Sequence, residues 1–402
     1  MTTVTRSLTK PRVSAARLCA LNGGIQLVWG AILAVSLQAR SIALAGPGAI
    51  RAYALIAAAG ALVATVVQLA AGALSDSERR RTGSRQRFYA AGIALAIPAL
   101  FWFYLAPSFA QFVAAFLLLQ AAMNVAGGPY QAVIPDYVVP ERRGLASSWM
   151  AVYQSAGNAA GLLVAGLLHD LRIVAVAISV PLAASYGATA EYLRGLVASP
   201  PAPAARNELR SDRNLRVLLL SRGLINVGFF TLLGFLLFFV RDSLGVARAA
   251  LEMQTAFIFL TFTLAAVAGA PLAARPADTS DKRLVVSVAV ALIVVALIVL
   301  GTTSSLLVAY LSAGVAGAAW GAFVTADWAL ATALLPPQSM ATAMGVWNVA
   351  TTLPQVIAPL LTAPLVLRLN AVHAGAGPRG AIALSLLEFA AGAIVVWRLP
   401  RA

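Results

Sequence analysis

Amide side chains recur at helical spacing inside the most apolar stretches of this sequence. Gln120 and Asn124 stand four residues apart in FAQFVAAFLLLQAAMNVAGGPY, and Gln154 and Asn158 repeat the spacing in LASSWMAVYQSAGNAAGLLVAGLL. Asn22, Gln26 and Trp29 form an i, i+4, i+7 set, and Arg222, Asn226 and Phe230 an i, i+4, i+8 set. Residues at these spacings share a helix face. In hydrocarbon an amide leaves its donors and acceptor unmet, so such a face turns to a protein interior or a watered cavity. These amides, with Asn348 and Gln355, are candidates to hydrogen-bond the hydroxyls of a polar solute, and Trp29, Tyr153 and Trp320 to stack on it. The competing readings are helix-to-helix hydrogen bonds, worth ~0.6 kcal/mol on average, and aromatic anchoring at a membrane interface.

Charges inside or beside apolar runs form the second group. Asp76 precedes Arg79, Arg80 and Arg81 and follows Gly72, a set suited to a gate whose charge-assisted bonds differ between two conformations. The alternative is a solvated cluster that fixes topology. Asp327 is a candidate proton-coupling carboxylate, and Asp136 could bind a proton. Asp136 could instead be a helix-terminal carboxylate paired with Arg142 or Arg143, and Asp327 could pair with Arg222, which falls inside an apolar run. Glu388, within the last apolar run, fits no pattern.

The elements that must position these groups are membrane helices. The chain is 60% hydrophobic and 11% charged with mean hydropathy +0.85, against the ~25% charged residues of soluble domains. Twelve spans are expected, over 15–38, 50–71, 88–106, 109–133, 145–168, 171–191, 216–240, 252–273, 284–303, 306–330, 341–367 and 380–398, each near the ~20 residues a bilayer-crossing helix needs. Cys19 is the single cysteine, so no intramolecular disulfide or cysteine metal site can form, and His169 and His373 lie near loops. No ATP-phosphate loop, metal cluster or catalytic triad is evident, so neither an enzyme nor a cofactor is expected. The net charge of +15 comes from arginines between spans. That points to anionic lipid headgroups rather than nucleic acid.

Of the 29 Lys and Arg residues, 21 fall on one side and 7 on the other if the amino terminus is inside. The positive-inside rule then places both termini and the central connection in the cytoplasm, in a multi-pass cytoplasmic membrane protein expected to be a monomer. The halves repeat: Pro140 with ERRGLASSW lines up with Pro336 with PQSMATAMG, and Gln131 with Asp327, at an offset of 196. The expected fold is all-α, with twelve transmembrane helices in two pseudo-symmetric six-helix bundles. Residues 1–191 and 216–402 form the halves, joined by a linker over 192–215. The third, sixth, ninth and twelfth helices lie outside a central cavity. Parallel halves of this kind suggest a carrier with its site between them.

GALSD followed by Arg79, Arg81, Gly83, Arg85 and Phe88 resembles the signature loop between helices two and three of the major facilitator superfamily, with Ser77 where arginine is usual. GPYQAVIPD resembles the fourth-helix motif of its proton-coupled sucrose and glycoside carriers. Gly128, Pro129, Ala132 and Asp136 match that motif, and Gln131 replaces an arginine. The resemblance implies secondary transport of a small polar solute, a sugar or glycoside among the candidates, by alternating access with proton symport. It also makes Asp136 the proton-coupling candidate. Proton-driven efflux of an amphipathic compound, and a non-transporting scaffold or receptor on the same fold, remain the alternatives.

Overall fold

The computed structural model describes residues 14–139, 143–196, 213–334 and 340–401. Among these there is no strand, and twelve long helical segments follow one another. α1 runs over Ala15–Ala31 and through a π-helical turn, Ile32–Ser36, into Leu37–Ala45. It is followed by α2 (Ala49–Thr82), α3 (Gln86–Leu105), α4 (Phe109–Tyr130), α5 (Arg143–Leu167) and α6 (Leu171–Arg194). The second half comprises α7 (Arg213–Asp242), α8 (Arg248–Thr279), α9 (Lys282–Thr302), α10 (Leu306–Leu334), α11 (Met340–Val372) and α12 (Ala376–Val396). A short helix, Val133–Tyr137, follows α4. Ten stretches of the described residues are long and apolar enough to cross a membrane; the first, Ala15–Thr82, turns at Gly46–Gly48 and holds two helices. The long helix outside that set, Arg143–Leu167, carries Gln154, Ser155 and Asn158.

Helices are the form such sequence takes in lipid because they satisfy their own backbone polar groups. Their ends carry local signals. Ser108, Asp170 and Asp281 accept hydrogen bonds from the backbone N–H groups of Gln111, Arg172 and Arg283, meeting donors that a helix start leaves orphaned. Gly83, at φ +76°, closes α2 in a conformation that costs other residues a clash at Cβ.

Several helices outrun their expected spans, α1 and α2 by the most at a single end. α1 continues past residue 38 because the Gln38 amide donates to the Leu33 carbonyl at the π-turn, at 2.8 Å, and Arg40 donates to the Ala106 carbonyl at 2.6 Å. α2 continues past residue 71 to Thr82, so Asp76 and Arg79 to Arg81 lie on its last turns and the connection to α3 spans only 83–85. Most of the expected linker, residues 197–212, lies outside the described residues.

Packing repeats with a shift of six helices. α1 packs on α5 and α6, α2 on α4, α3 on α4 and α6; in the second half α7 packs on α11 and α12, α8 on α10, α9 on α10 and α12. Small residues allow the closest approaches: Gly157 and Gly161 of α5 lie against the Gly23 and Leu27 carbonyls of α1, and Gly317 and Gly321 of α10 against those of Phe262 and Ala266 of α8. The two bundles meet chiefly through α2 with α11 and α5 with α8. α3, α6, α9 and α12 take no part in these main junctions. On α9, Leu284, Val288, Leu292, Val295 and Val299 are exposed at helical spacing while Val286, Ala289, Ile293, Ala296 and Leu300 are buried; both faces are apolar, as a helix between lipid and protein requires.

The junction is tight at the end that holds the α1–α2 and α7–α8 connections. There the π-turn of α1 packs on α7 and α8, Gln38 reaches towards the Leu233 carbonyl at 3.5 Å, and Tyr53 of α2 meets Phe235 and Phe238 of α7 edge to face. Towards the end that holds both termini, large apolar side chains of the same four helices are exposed: Val66, Leu69 and Leu74; Leu145 and Val152; Leu264 and Leu272; Val349 and Leu353.

Candidate functional site

A narrow cleft of about 40 Å³ lies between the bundles. Tyr53, Phe116, Phe230 and Pro359 form much of its wall, and one amide comes from each half: Gln120 on α4 and Gln355 on α11. Gln120 is buried, and Gly60 of α2 lets α4 approach so closely that a Cβ there would collide with Phe116 and crowd Gln120. Among the described residues the Gln120 NH₂ and the whole Gln355 amide have no hydrogen-bond partner. Pro359 adds to this, because it has no N–H to donate to the Gln355 carbonyl one turn back. Pro354 and Pro364 interrupt the same helix.

The other amides take different places. Asn22 is buried and donates to the Met150 carbonyl of α5 at 3.0 Å. Asn124 donates to the Gln120 carbonyl at 2.8 Å, and buried Asn226 to the Arg222 carbonyl at 2.9 Å. Gln26 and Asn158 are half-buried along the α1–α5 seam, where Gly157 touches Gln26 and Gly30 touches the Asn158 backbone. Tyr153 sits on the same seam beside Gly23 and next to Trp149. Trp29 is half-buried against the core. Trp320 stacks on Phe229 at 4.6 Å and 17°, within a cluster that includes Phe262, Phe323 and Phe389. Asn348 lies on α11, but its side chain is outside the described residues.

Two charge constellations, one per half, lie outside the cleft lining. In the first, Asp136 bridges Arg79 at 2.9 Å and Arg85 at 2.8 Å. Arg85 also holds Asp76 at 2.5 Å and donates to the Ser75 hydroxyl at 2.6 Å. Asp136 and Arg85 are both buried, at 4% and 7% exposure, so the cluster ties the end of α2, the start of α3 and the segment after α4 into one unit. Arg80 and Arg81 are exposed outside it. In the second, Arg222 of α7 is ion-paired with Asp327 of α10, 3% exposed, and donates to the Thr351 hydroxyl of α11 at 3.2 Å. Both candidate coupling carboxylates are therefore engaged by arginine, and a proton must compete with a guanidinium for either.

Sequence reasoning passed over Arg85 as a site residue, along with Thr351 and the cleft aromatics Tyr53, Phe116 and Phe230. The Gly83-x-Arg85 spacing at the head of α3 was the available signal for Arg85. Aromatics inside apolar runs carry none. Gly72 has open space where a Cβ would sit, so nothing in this conformation requires glycine there.

Two six-helix bundles around a shared cleft, with a proline-interrupted helix in its wall, define a membrane carrier rather than a soluble or catalytic protein. The chain belongs to the major facilitator superfamily, whose family model matches residues 20–359, and is a multi-pass membrane transporter of that family. Among solved structures it is similar to a bacterial homolog of the human lysosomal transporter Spinster in an inward-facing, unoccupied conformation, with 15% identity, 96% of this chain and 95% of that one covered, and TM-score 0.72. It is also similar to a D-xylose–proton symporter (14% identity, 96% and 98% covered, TM-score 0.71) and to the nucleoside transporter NupG (12%, 96% and 98%, 0.67). No curated protein sequence matches it.

Proposed function

We propose that this transporter moves a small polar solute, of the sugar or glycoside class, across a cytoplasmic membrane by alternating access coupled to protons. The observation that carries the reading is the cleft at the bundle junction, where Gln120 and Gln355 bring unmet amide groups from opposite halves between aromatic walls. A hydroxylated ring satisfies amides at its edge and stacks its apolar face on aromatics. Because the amides belong to different bundles, a bound solute bridges them and is released when the bundles rock apart. The structural likeness to a symporter for D-xylose and a carrier for nucleosides supports the choice of solute class. With the termini in the cytoplasm, as the arginine distribution indicates, the bundle contacts at Gln38, Tyr53 and Phe235 close the outer side of this conformation. A proton on Asp327 would cancel the charge that holds Arg222, and one on Asp136 would loosen Arg79 and Arg85. Either event changes which conformation is favoured.

Uptake into proteoliposomes across a solute panel, with and without a pH gradient, tests the reading. Accumulation of a sugar driven by inward protons supports it. The many apolar cleft residues, Leu33, Leu37 and Leu233 among them, favour efflux of an amphipathic compound as the second reading, and acid-inside-driven loss of a lipophilic dye would select it. For a transported sugar, Gln120→Ala and Gln355→Ala should each raise KM about tenfold, the equivalent of ~1.4 kcal/mol for a lost hydrogen bond and a stranded partner. An unchanged KM in both would remove the amides from the binding site.

Gly72 gives a separate check on alternation. Adding a methyl group there costs nothing in this conformation, and Gly→Ala inside a helix stabilises by about 0.5–1 kcal/mol. Gly72→Ala should therefore raise the melting temperature, and it should also lower flux if alternation brings another helix against that face of α2. Full flux would show that no such approach occurs.

A further inference from the structure

Glu388 stands apart from every other buried carboxylate in the described chain. It lies halfway along α12, 8% exposed, and its Oε2 is buried with no hydrogen-bond partner. Asp136 and Asp327 each hold an arginine, whereas Glu388 forms no ion pair among the described residues.

Its surroundings account for this. α12 packs on α7, α9 and α11. On α7 the charged groups are Arg213, Arg216 and Arg222 towards one end, the last held by Asp327, and Arg241 and Asp242 at the other, paired with each other. Thr231, which faces Glu388, is roughly 14 Å along the helix from Arg222 or Arg241 at 1.5 Å per residue. On α9 they are Lys282 and Arg283 at the start, and on α11 Arg368, beyond Pro364. On α12 itself, Arg379 is engaged by the Gly301 and Thr303 carbonyls and the Ser304 hydroxyl. A cation is absent from the middle layer of all four helices. An ionised carboxylate there would stand uncompensated in the membrane interior, where intramembrane acids are characteristically parts of proton or ion paths.

The group is also connected. Thr231 lies beside the Glu388 carboxyl, and the Thr231 and Thr362 hydroxyls, both fully buried, are 3.2 Å apart. Thr362 sits on α11 between Pro359 and Pro364, and Pro359 lines the cleft, as do Phe230 and Leu233 on either side of Thr231. Carboxyl and hydroxyls thus run from α12 through α7 to the interrupted stretch of α11, one helix layer behind the cleft wall. Hydroxyls both accept and donate, so this chain can hand on a proton, and bending of α11 at its prolines changes whether its far end meets water.

We propose that Glu388 is a proton-binding site of this transporter, loaded and unloaded through the Thr231–Thr362 hydroxyl pair as α11 opens and closes the cleft wall. Binding adds a proton from water to one carboxylate oxygen, giving the neutral acid, and release returns it to water. The proposal deepens the proton-coupled reading above and rests on it for its consequence, but proton binding itself can be tested without any solute.

The measurement is infrared difference spectroscopy of the purified full-length protein during pH titration. The wild type should show a protonated-carboxyl C=O band that rises and falls with pH. It should disappear in Glu388→Gln, persist in Asp327→Asn and change its pH midpoint in Thr231→Val. Should Glu388→Gln fail to fold, Glu388→Asp serves instead, with the band displaced. A band unaltered by either Glu388 substitution overturns the proposal, as does one that is present in the wild type but independent of pH, which would make Glu388 a permanently neutral structural acid. So does a response to Na⁺ at fixed pH that replaces the response to pH. Failure of proton-driven uptake with the titrating band intact would sink the coupled-transport reading and leave the site standing.

Discussion

Asp327→Asn and Arg222→Gln should each destabilise the protein by about 3–5 kcal/mol, the cost of stripping one partner from a buried ion pair. Asp327 is 3% exposed, and Arg222 has its guanidinium committed to Asp327 and Thr351. Removing the aspartate leaves a cation inside the bundle, and removing the arginine leaves an anion there. The double variant removes both charges and should recover most of the loss, since replacing a whole buried pair is often close to neutral. Thermal unfolding of the four proteins in one detergent, read as a double-mutant cycle, gives the coupling directly. Additive losses would show that the pair contributes nothing jointly. A double variant that is stable but inactive would assign the pair to transport.

The second large effect concerns the sealed end. Gly234 of α7 faces the Tyr53 hydroxyl so closely that a Cβ there overlaps it, and Tyr53 is wedged against Phe235 and Phe238. Gly234→Leu should push the bundles apart at this end only. Overpacking of this kind costs roughly 1–3 kcal/mol, enough to shift a two-state equilibrium about 5- to 150-fold towards the conformation open on that side. Spin-label distances across the α2–α7 contact should lengthen, and Tyr53→Ala in the same chain should restore them. Unchanged distances in Gly234→Leu would mean that the contact is not a closing surface.

Much of the architecture was legible because lipid imposes it. Apolar runs of sufficient length have to be helices, and the twelve expected spans correspond to the twelve long helices. The ends were less legible. α1 and α2 continue where Gln38, Arg40 and the Asp76–Arg81 stretch look like loop, because polar residues at a membrane boundary suit a protruding helix as well as a connection. The amides were readable as inward-facing groups, and Asn22, Gln120 and Asn226 are buried, but spacing on one helix says nothing of partners on another. Asn22 is taken up by the Met150 carbonyl and Asn226 by its own helix, whereas Gln120 and Gln355 are left to the cleft. Arg85 was hidden because a basic residue between spans already has a reason to be there in topology. Its bonds to Asp136, Asp76 and Ser75 depend on how the chain returns from α4.

A cleft shared by the two bundles has to be reachable from one face of the membrane. Ala57 lines it, and the single native cysteine, Cys19, is fully buried, so Ala57→Cys in a Cys19→Ser background gives one reactive position. A membrane-impermeant thiol reagent applied in turn to each face of oriented vesicles should modify it readily from the face bearing the termini. From the opposite face it should react more slowly, and faster once Gly234→Leu is added. Absence of modification from either face, in folded protein, would contradict a shared aqueous path between the bundles.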